Sequence, residues 1–203
     1  MTVALKALAL VCTLKPSPAA SSSVLIADQV LAELATHGVD GKSVRIADFD
    51  VRPGVSADEG DGDQWPQIRR WVLDADIVVL ATPTWLGHLA SVAQRVLERL
   101  EAELSNTDDA GRPAMFGEVG IAAIVGNEDG AHKIAADTFQ ALDDIGFTIP
   151  AHGCTYWNGE AMGRIDYNDL VGTPDPVRDT TRTMARNAAH LAGLLRAQNY
   201  PVD

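Results

Sequence analysis

The stretch Ala7-Leu8-Ala9-Leu10-Val11-Cys12, followed by Thr13-Leu14-Lys15-Pro16-Ser17-Pro18-Ala19-Ala20-Ser21-Ser22-Ser23, decides how this 203-residue chain is read. The first six residues are continuously apolar, the pattern of a short strand buried on both faces. The residues after them make a hydroxyl-rich loop, and a helix opens at Ser23 and continues through Val24–Thr36. Hydroxyls and unpaired backbone N–H groups at a helix start can donate to phosphate oxygens, while the positive end of the helix dipole faces the anion. Only Lys15 adds formal charge. The patterns G-x-x-x-x-G-K-[ST] and G-x-G-x-x-G are both missing here, which argues against a P-loop NTPase and against a dinucleotide site at this position. A phosphate monoester suits the loop better. One hydroxyl caps one helix, so Ser17, Ser21, Ser22 and Ser23 supply more donors than capping requires.

Working outward, four further brief apolar segments read as strands: Ser43–Ala47, Ile77–Ala81, Gly120–Val125 and a short one around Phe147–Pro150. Helices are expected over Gln64–Leu73, Ser91–Leu104, Ala131–Ile145 and Val177–Gln198. In Ser91–Leu104, Val92, Val96, Leu97, Leu100 and Leu104 recur at helical spacing, with Arg95, Glu98, Arg99 and Glu101 on the opposite face. Strict strand–helix alternation implies a parallel sheet covered on both sides, because right-handed crossovers need a helix to span the sheet. Five strands suggest a three-layer α/β sandwich of order 2-1-3-4-5, with the ligand beyond the C-terminal strand ends where strands 1 and 3 diverge. Two long stretches fall outside the alternation, the acidic Arg52–Asp63 and the aromatic and polar Gly153–Pro176; loops of this length serve as functional rims, oligomer contacts or lids.

The length fits one domain over residues 1–203, with no Pro/Ser/Gly-rich linker dividing it. Hydrophobic residues make up 46% of the chain, yet no apolar run approaches the eighteen or so residues of a membrane span, and no signal-peptide pattern opens it. A cytoplasmic location is expected. Cys12 and Cys154 lie far apart and read as free thiols. The 28 acidic against 16 basic residues give a net charge of −12, which repels nucleic acid and anionic membranes, so neither is an expected partner.

Two further loops reach the same sheet edge. Thr82-Pro83-Thr84-Trp85-Leu86-Gly87-His88 follows strand 3, and Thr84, Trp85 and Gly87 can offer backbone donors and a flat apolar wall to a planar ligand. After strand 4 comes Gly126-Asn127-Glu128-Asp129-Gly130, a second glycine-bracketed loop. With these three loops in that order, the chain from Ala7 to about Trp157 resembles the NAD(P)H-dependent FMN reductases of the flavodoxin-like superfamily. The resemblance implies a flavodoxin-like fold in which Ser17, Ser21, Ser22 and Ser23 bind the FMN phosphate. It further implies that Pro83, Thr84, Trp85, Leu86 and Gly87 line the ribityl chain and isoalloxazine, and that Asn127, Glu128, Asp129 and Gly130 lie by the ring's other edge. NADPH or NADH would be the co-substrate and a small molecule such as a quinone or flavin the electron acceptor, and related flavoproteins lead one to expect a homo-oligomer.

Hydride transfer through a flavin needs no acid–base triad from the protein. No G-x-S-x-G, H-E-x-x-H or C-x-x-C pattern supports other chemistry, and His88 and His132 read as solvated loop residues near the site. The alternative reading is a flavodoxin-type electron carrier, its acidic surface docking on a basic redox partner; a third is a regulatory module using Gly153–Pro176 as its partner surface.

Overall fold

In a computed structural model describing residues 4–160 and 163–202, the opening apolar stretch is β1, Leu5–Val11. Side chains alternate across a strand, and both faces of β1 are covered. Ala7, Ala9 and Val11 join a core with α1 (Ser22–Ala35) and α5 (Asp175–Ala197), whereas Leu8, Leu10 and Cys12 join a second core with α2 (Trp65–Val72) and α3 (Ser91–Leu100). Burial of each Val- or Leu-sized side chain contributes roughly 1.5–3 kcal/mol. Such paired coverage explains why β1 reads as uninterruptedly apolar.

β2 (Val39–Arg45), β3 (Ile77–Trp85), β5 (Val119–Gly126) and β6 (Cys154–Asn158) complete a parallel sheet of order β2-β1-β3-β5-β6. A two-residue strand, β4 (His88–Leu89), pairs antiparallel with the end of β3. Leaving β4 aside, the order is the 2-1-3-4-5 expected from the alternation. Register is set from β1 outward, with Ala9 opposite Ser43 and Val79, and Val79 opposite Ile121. The fourth long helix, α4 (Ala131–Ile145), covers β5 through Ile134 against Ala122 and Ile124.

Three expectations need correction. The last strand is Cys154–Asn158; Phe147–Pro150 contributes only an isolated bridge from Thr148 to Val119. Pro150 has no N–H for a ladder, so continuous pairing with β5 begins beyond Gly153, and Tyr156 and Trp157 are strand residues. On α3, Arg99 is fully buried and Leu104 is 54% exposed, the reverse of their assigned faces. The α-helix ends at Leu100 and tightens into a 3-10 turn over Glu101–Ser105, which rotates Leu104 out of the apolar stripe. Finally, Arg52–Asp63 is fastened to α3. Buried Arg99 donates to the carbonyls of Arg52 and Ser56 and pairs with Asp63 at 2.7 Å, both side chains having no solvent exposure.

Candidate functional site

The exits of β1, β3 and β5 converge at the C-terminal edge of the sheet around a cleft of about 270 Å³. Its walls are residues 13–15 and 20–23 after β1, 83–85 at the end of β3, 125–127 at the end of β5, and 166–168 from the chain between β6 and α5. At the β1 wall Ser21 is the N-cap of α1, with extended backbone and no side-chain capping bond. The first N–H groups of the helix have no intrahelical acceptor. The Ser23 hydroxyl is 1% exposed and has no hydrogen-bond partner. Across the cleft the Thr84 hydroxyl, on a residue 4% exposed, is likewise unpartnered. A buried hydroxyl without a partner costs roughly 1–3 kcal/mol, so two such residues lining one cleft single it out as the candidate site.

The loop's shape is held from below. Arg45, at the end of β2, donates to the carbonyls of Lys15 and Ala19. Ser17 takes no part in the cleft: its N–H and hydroxyl donate to the Asp48 carboxylate at 2.6 and 2.7 Å. Those two bonds, the backbone one foremost, hold the Asp48 carboxyl below its usual range. The structure therefore groups Ser21, Ser22 and Ser23 at the cleft and sets Ser17 beneath the loop as a brace.

The β3 wall ends in a tight hairpin. Leu86 and Gly87 both have positive φ, 53° and 73°, as a two-residue turn between twisted strands requires. Trp85 stands 54% exposed at the cleft rim and Leu86 88% exposed at the tip. The β5 loop meets this hairpin directly. Glu128 Oε1 accepts the Leu86 N–H at 2.7 Å, and a Cβ placed on Gly130 would lie 2.8 Å from Gly87 Cα. Thus Asn127, Pro83, Thr84 and Trp85 line the cleft, whereas Leu86, Gly87, Glu128, Asp129 and Gly130 build the rim that joins the two loops. His88 and His132 lie outside the lining; His88 Nδ1 is 3.2 Å from Lys133 Nζ, and His132 Nε2 is 3.0 Å from the Tyr156 hydroxyl.

The cleft's fourth wall, Asp166-Tyr167-Asn168, comes from the Gly153–Pro176 segment expected at the rim; the sequence reading places Tyr167 near the ligand edge but names neither Asp166 nor Asn168. Its sequence signal is local: Asp166 and Asp169 form a reciprocal capping box around a 3-10 turn. Burial pushes the Cys154 thiol up to about 12 and that of Cys12 higher still, so both stay protonated and unreactive. Among the described residues no group of three or more His, Cys, Asp or Glu side chains is placed to hold a metal ion.

Residues 5–161 match the family described as NADPH-dependent FMN reductase. Over 213 aligned residues the chain is 30% identical to the 8-demethyl-8-aminoriboflavin-5′-phosphate synthase of Streptomyces davaonensis, covering 99% of this chain and 82% of that protein. It superimposes with a TM-score of 0.89 and 30% identity on the crystal structure of RosB with bound intermediate 8-demethyl-8-formylriboflavin-5′-phosphate, covering 98% of this chain and 83% of that one. It is also 37% identical over 201 residues, 95% of its length, to the divalent metal cation transporter MntH of Mycobacterium bovis, but spans only 29% of that protein. Among the described residues of this chain, no helix is long and apolar enough to cross a membrane.

Proposed function

The chain belongs to the NADPH-dependent FMN reductase family, and from that premise we propose that its cleft binds FMN and that the protein passes hydride from NAD(P)H to a small acceptor such as a quinone or a flavin. The observation that carries the reading is that two residues with buried, unpartnered hydroxyls, Ser23 and Thr84, line the same cleft as the start of α1. In this reading the N–H groups at the start of α1, with the hydroxyls of Ser21, Ser22 and Ser23, hold the phosphate. Each charge-assisted bond contributes roughly 1.5–3 kcal/mol, and Lys15 supplies the one formal positive charge of the lining. Thr84 donates to the polyol chain, and Trp85 stands beside the ring. A cleft of about 270 Å³ is small against the ~300–1,000 Å³ of sites that enclose a ligand, as suits a site that a second substrate must also reach. When bound, FMN supplies the two-electron chemistry; the protein supplies position and polarity.

The test is direct. Purified protein incubated with FMN is expected to acquire flavin absorbance and to oxidise NADPH or NADH in the presence of a quinone. Ser22→Asp, which sets a carboxylate against the phosphate, is expected to abolish most of that flavin uptake; full uptake by the variant would refute the placement. Cytoplasmic location and assembly into a homo-oligomer belong to the same proposal, the latter checked by light scattering.

The similarity to 8-demethyl-8-aminoriboflavin-5′-phosphate synthase runs past residue 161 through nearly the whole chain. That favours a second reading, in which a flavin phosphate is substrate rather than resident cofactor. Extraction and mass analysis of the flavin after prolonged aerobic turnover with an amino-group donor present separates the two: FMN of unchanged mass supports the reductase, and conversion of FMN supports the second.

A further inference from the structure

The strap between β6 and α5 is held over the cleft by its own chain. Tyr167 is 2% exposed, its hydroxyl donates to Gln29 Oε1 at 2.6 Å, and its ring packs against Trp157 at 5.6 Å between centroids. Gln29 Nε2 in turn donates to Thr173 at 2.9 Å, so α1 grips the strap at two points. This anchoring fixes the residues on either side of Tyr167. Asp166 Oδ1 accepts from Asn127 Nδ2 at 3.3 Å. Asn168 lies over the start of α1: its Oδ1 accepts the Ser22 hydroxyl at 2.7 Å, and its N–H donates back to Ser22 Oγ at 3.3 Å.

We propose that Asn168 is a phosphate ligand of the flavin site, supplied by a strap beyond the residues that match the family, and that its carboxamide holds the Ser22 hydroxyl until the phosphate replaces it. This rests on the FMN reading above. A phosphate near its dianion offers only acceptors, and the Asn168 carboxamide oxygen now bound to Ser22 would repel it. A half-turn about the Cβ–Cγ bond, a torsion with a broad and nearly two-fold profile, presents the amide N–H groups instead and frees the Ser22 hydroxyl to donate to the phosphate. The formal charges of the lining, Lys15 and Asp166, cancel, so neutral donors must carry phosphate affinity. Two N–H groups on a strap already anchored by Tyr167 add donors at little ordering cost.

The experiment is a fluorescence titration of the full chain with FMN and, separately, riboflavin, which lacks the phosphate. Unmodified protein is expected to bind FMN far more tightly than riboflavin. In Asn168→Ala the FMN dissociation constant is expected to rise about tenfold, the loss of one charge-assisted bond, with riboflavin binding and the thermal midpoint unchanged. Asn168→Asp, which adds a carboxylate, is expected to weaken FMN further and again to leave riboflavin alone. Equal weakening of both flavins would make Asn168 a structural residue and overturn the proposal, as would unchanged FMN affinity in both variants. If the unmodified protein binds FMN no better than riboflavin, the phosphate reading of the serine loop itself has failed.

Discussion

At the scale of single residues, the cleft carries a cost that a well-packed core avoids. Thr84 keeps a hydroxyl out of water with nothing to bond, a loss of roughly 1–3 kcal/mol. Thr84→Val preserves shape and removes the orphan, so the flavin-free protein is expected to melt about 2–4 °C higher while its FMN affinity falls several-fold. Calorimetry and a binding titration on the same preparation check both halves, and a gain in stability without a loss of affinity would place Thr84 outside the ligand's reach. Ser21, Ser22 and Ser23 were legible as cleft residues because a helix start concentrates donors wherever it occurs. Ser17 belongs to the same serine-rich run, but its direction depends on Asp48, a residue on another element after β2. No pattern within the loop encodes such a contact. The same holds for Asn168, which is distant in sequence from Ser22 and meets it only through the fold.

Among the elements, the buried strands were readable and the edges only in part: Ser43–Ala47 catches the end of β2, which runs Val39–Arg45 before a 3-10 turn at Ile46–Asp48. β1, β3 and β5 are covered on both sides and announce themselves as apolar runs. β2 and β6 lie at the edges, and their exposed positions break the pattern: Asp40, Gly41, Lys42 and Ser43 are all exposed in β2, and β6 buries only Thr155 completely. The apolar Phe147–Pro150 therefore outcompeted the true last strand in sequence, although its own hydrophobic residues face α4 and α3 across the second core. The β3–β4 hairpin was hidden for another reason. Tight turns of this kind favour Asn-Gly or Asp-Gly, and here Leu86 occupies the first position at φ 53°, which is unfavourable for a side chain branched beyond Cβ. Leu86→Asn is expected to relieve that conformation and raise the melting temperature by about 2–4 °C; a fall would mean that the exposed leucine has a packing partner elsewhere in the assembled protein.

For the whole molecule, stability against acid is concentrated where Arg52–Asp63 is fastened to α3. Burial pushes the Asp63 carboxyl upward, but the Arg99 guanidinium and the N–H groups of Glu59, Trp65 and Arg52 outweigh it and hold the group at about 2. An unfolded aspartate titrates near ~3.9, so this group's stabilisation is fully present above about pH 4 and is lost as the pH falls through the native value. The shift corresponds to about 2–3 kcal/mol. Asp63→Asn is expected to remove that acid dependence and to destabilise the protein at neutral pH by about 3–5 kcal/mol, because Arg99 would remain buried without a counter-ion. Denaturant midpoints across pH 2–7 would show both effects, and an unchanged midpoint at pH 7 would refute them. Glu118 works in the opposite sense. Burial, with Asp76 and Glu103 nearby, raises its carboxyl well above the usual range, so its cost to the fold grows as pH rises from about 4.3 through the native value. Glu118→Gln is expected to raise the thermal midpoint at pH 8 more than at pH 5.

The bare-backbone meeting of Gly87 with Gly130 has a consequence for anyone reshaping the entrance. At that point the hairpin and its neighbouring turn meet backbone to backbone, and the Glu128 carboxylate ties them beside it, so they behave as one hinge-less brim. Widening the mouth for a bulkier guest would demand paired insertions, one in each turn, whereas an alteration confined to either would simply be transmitted to the other.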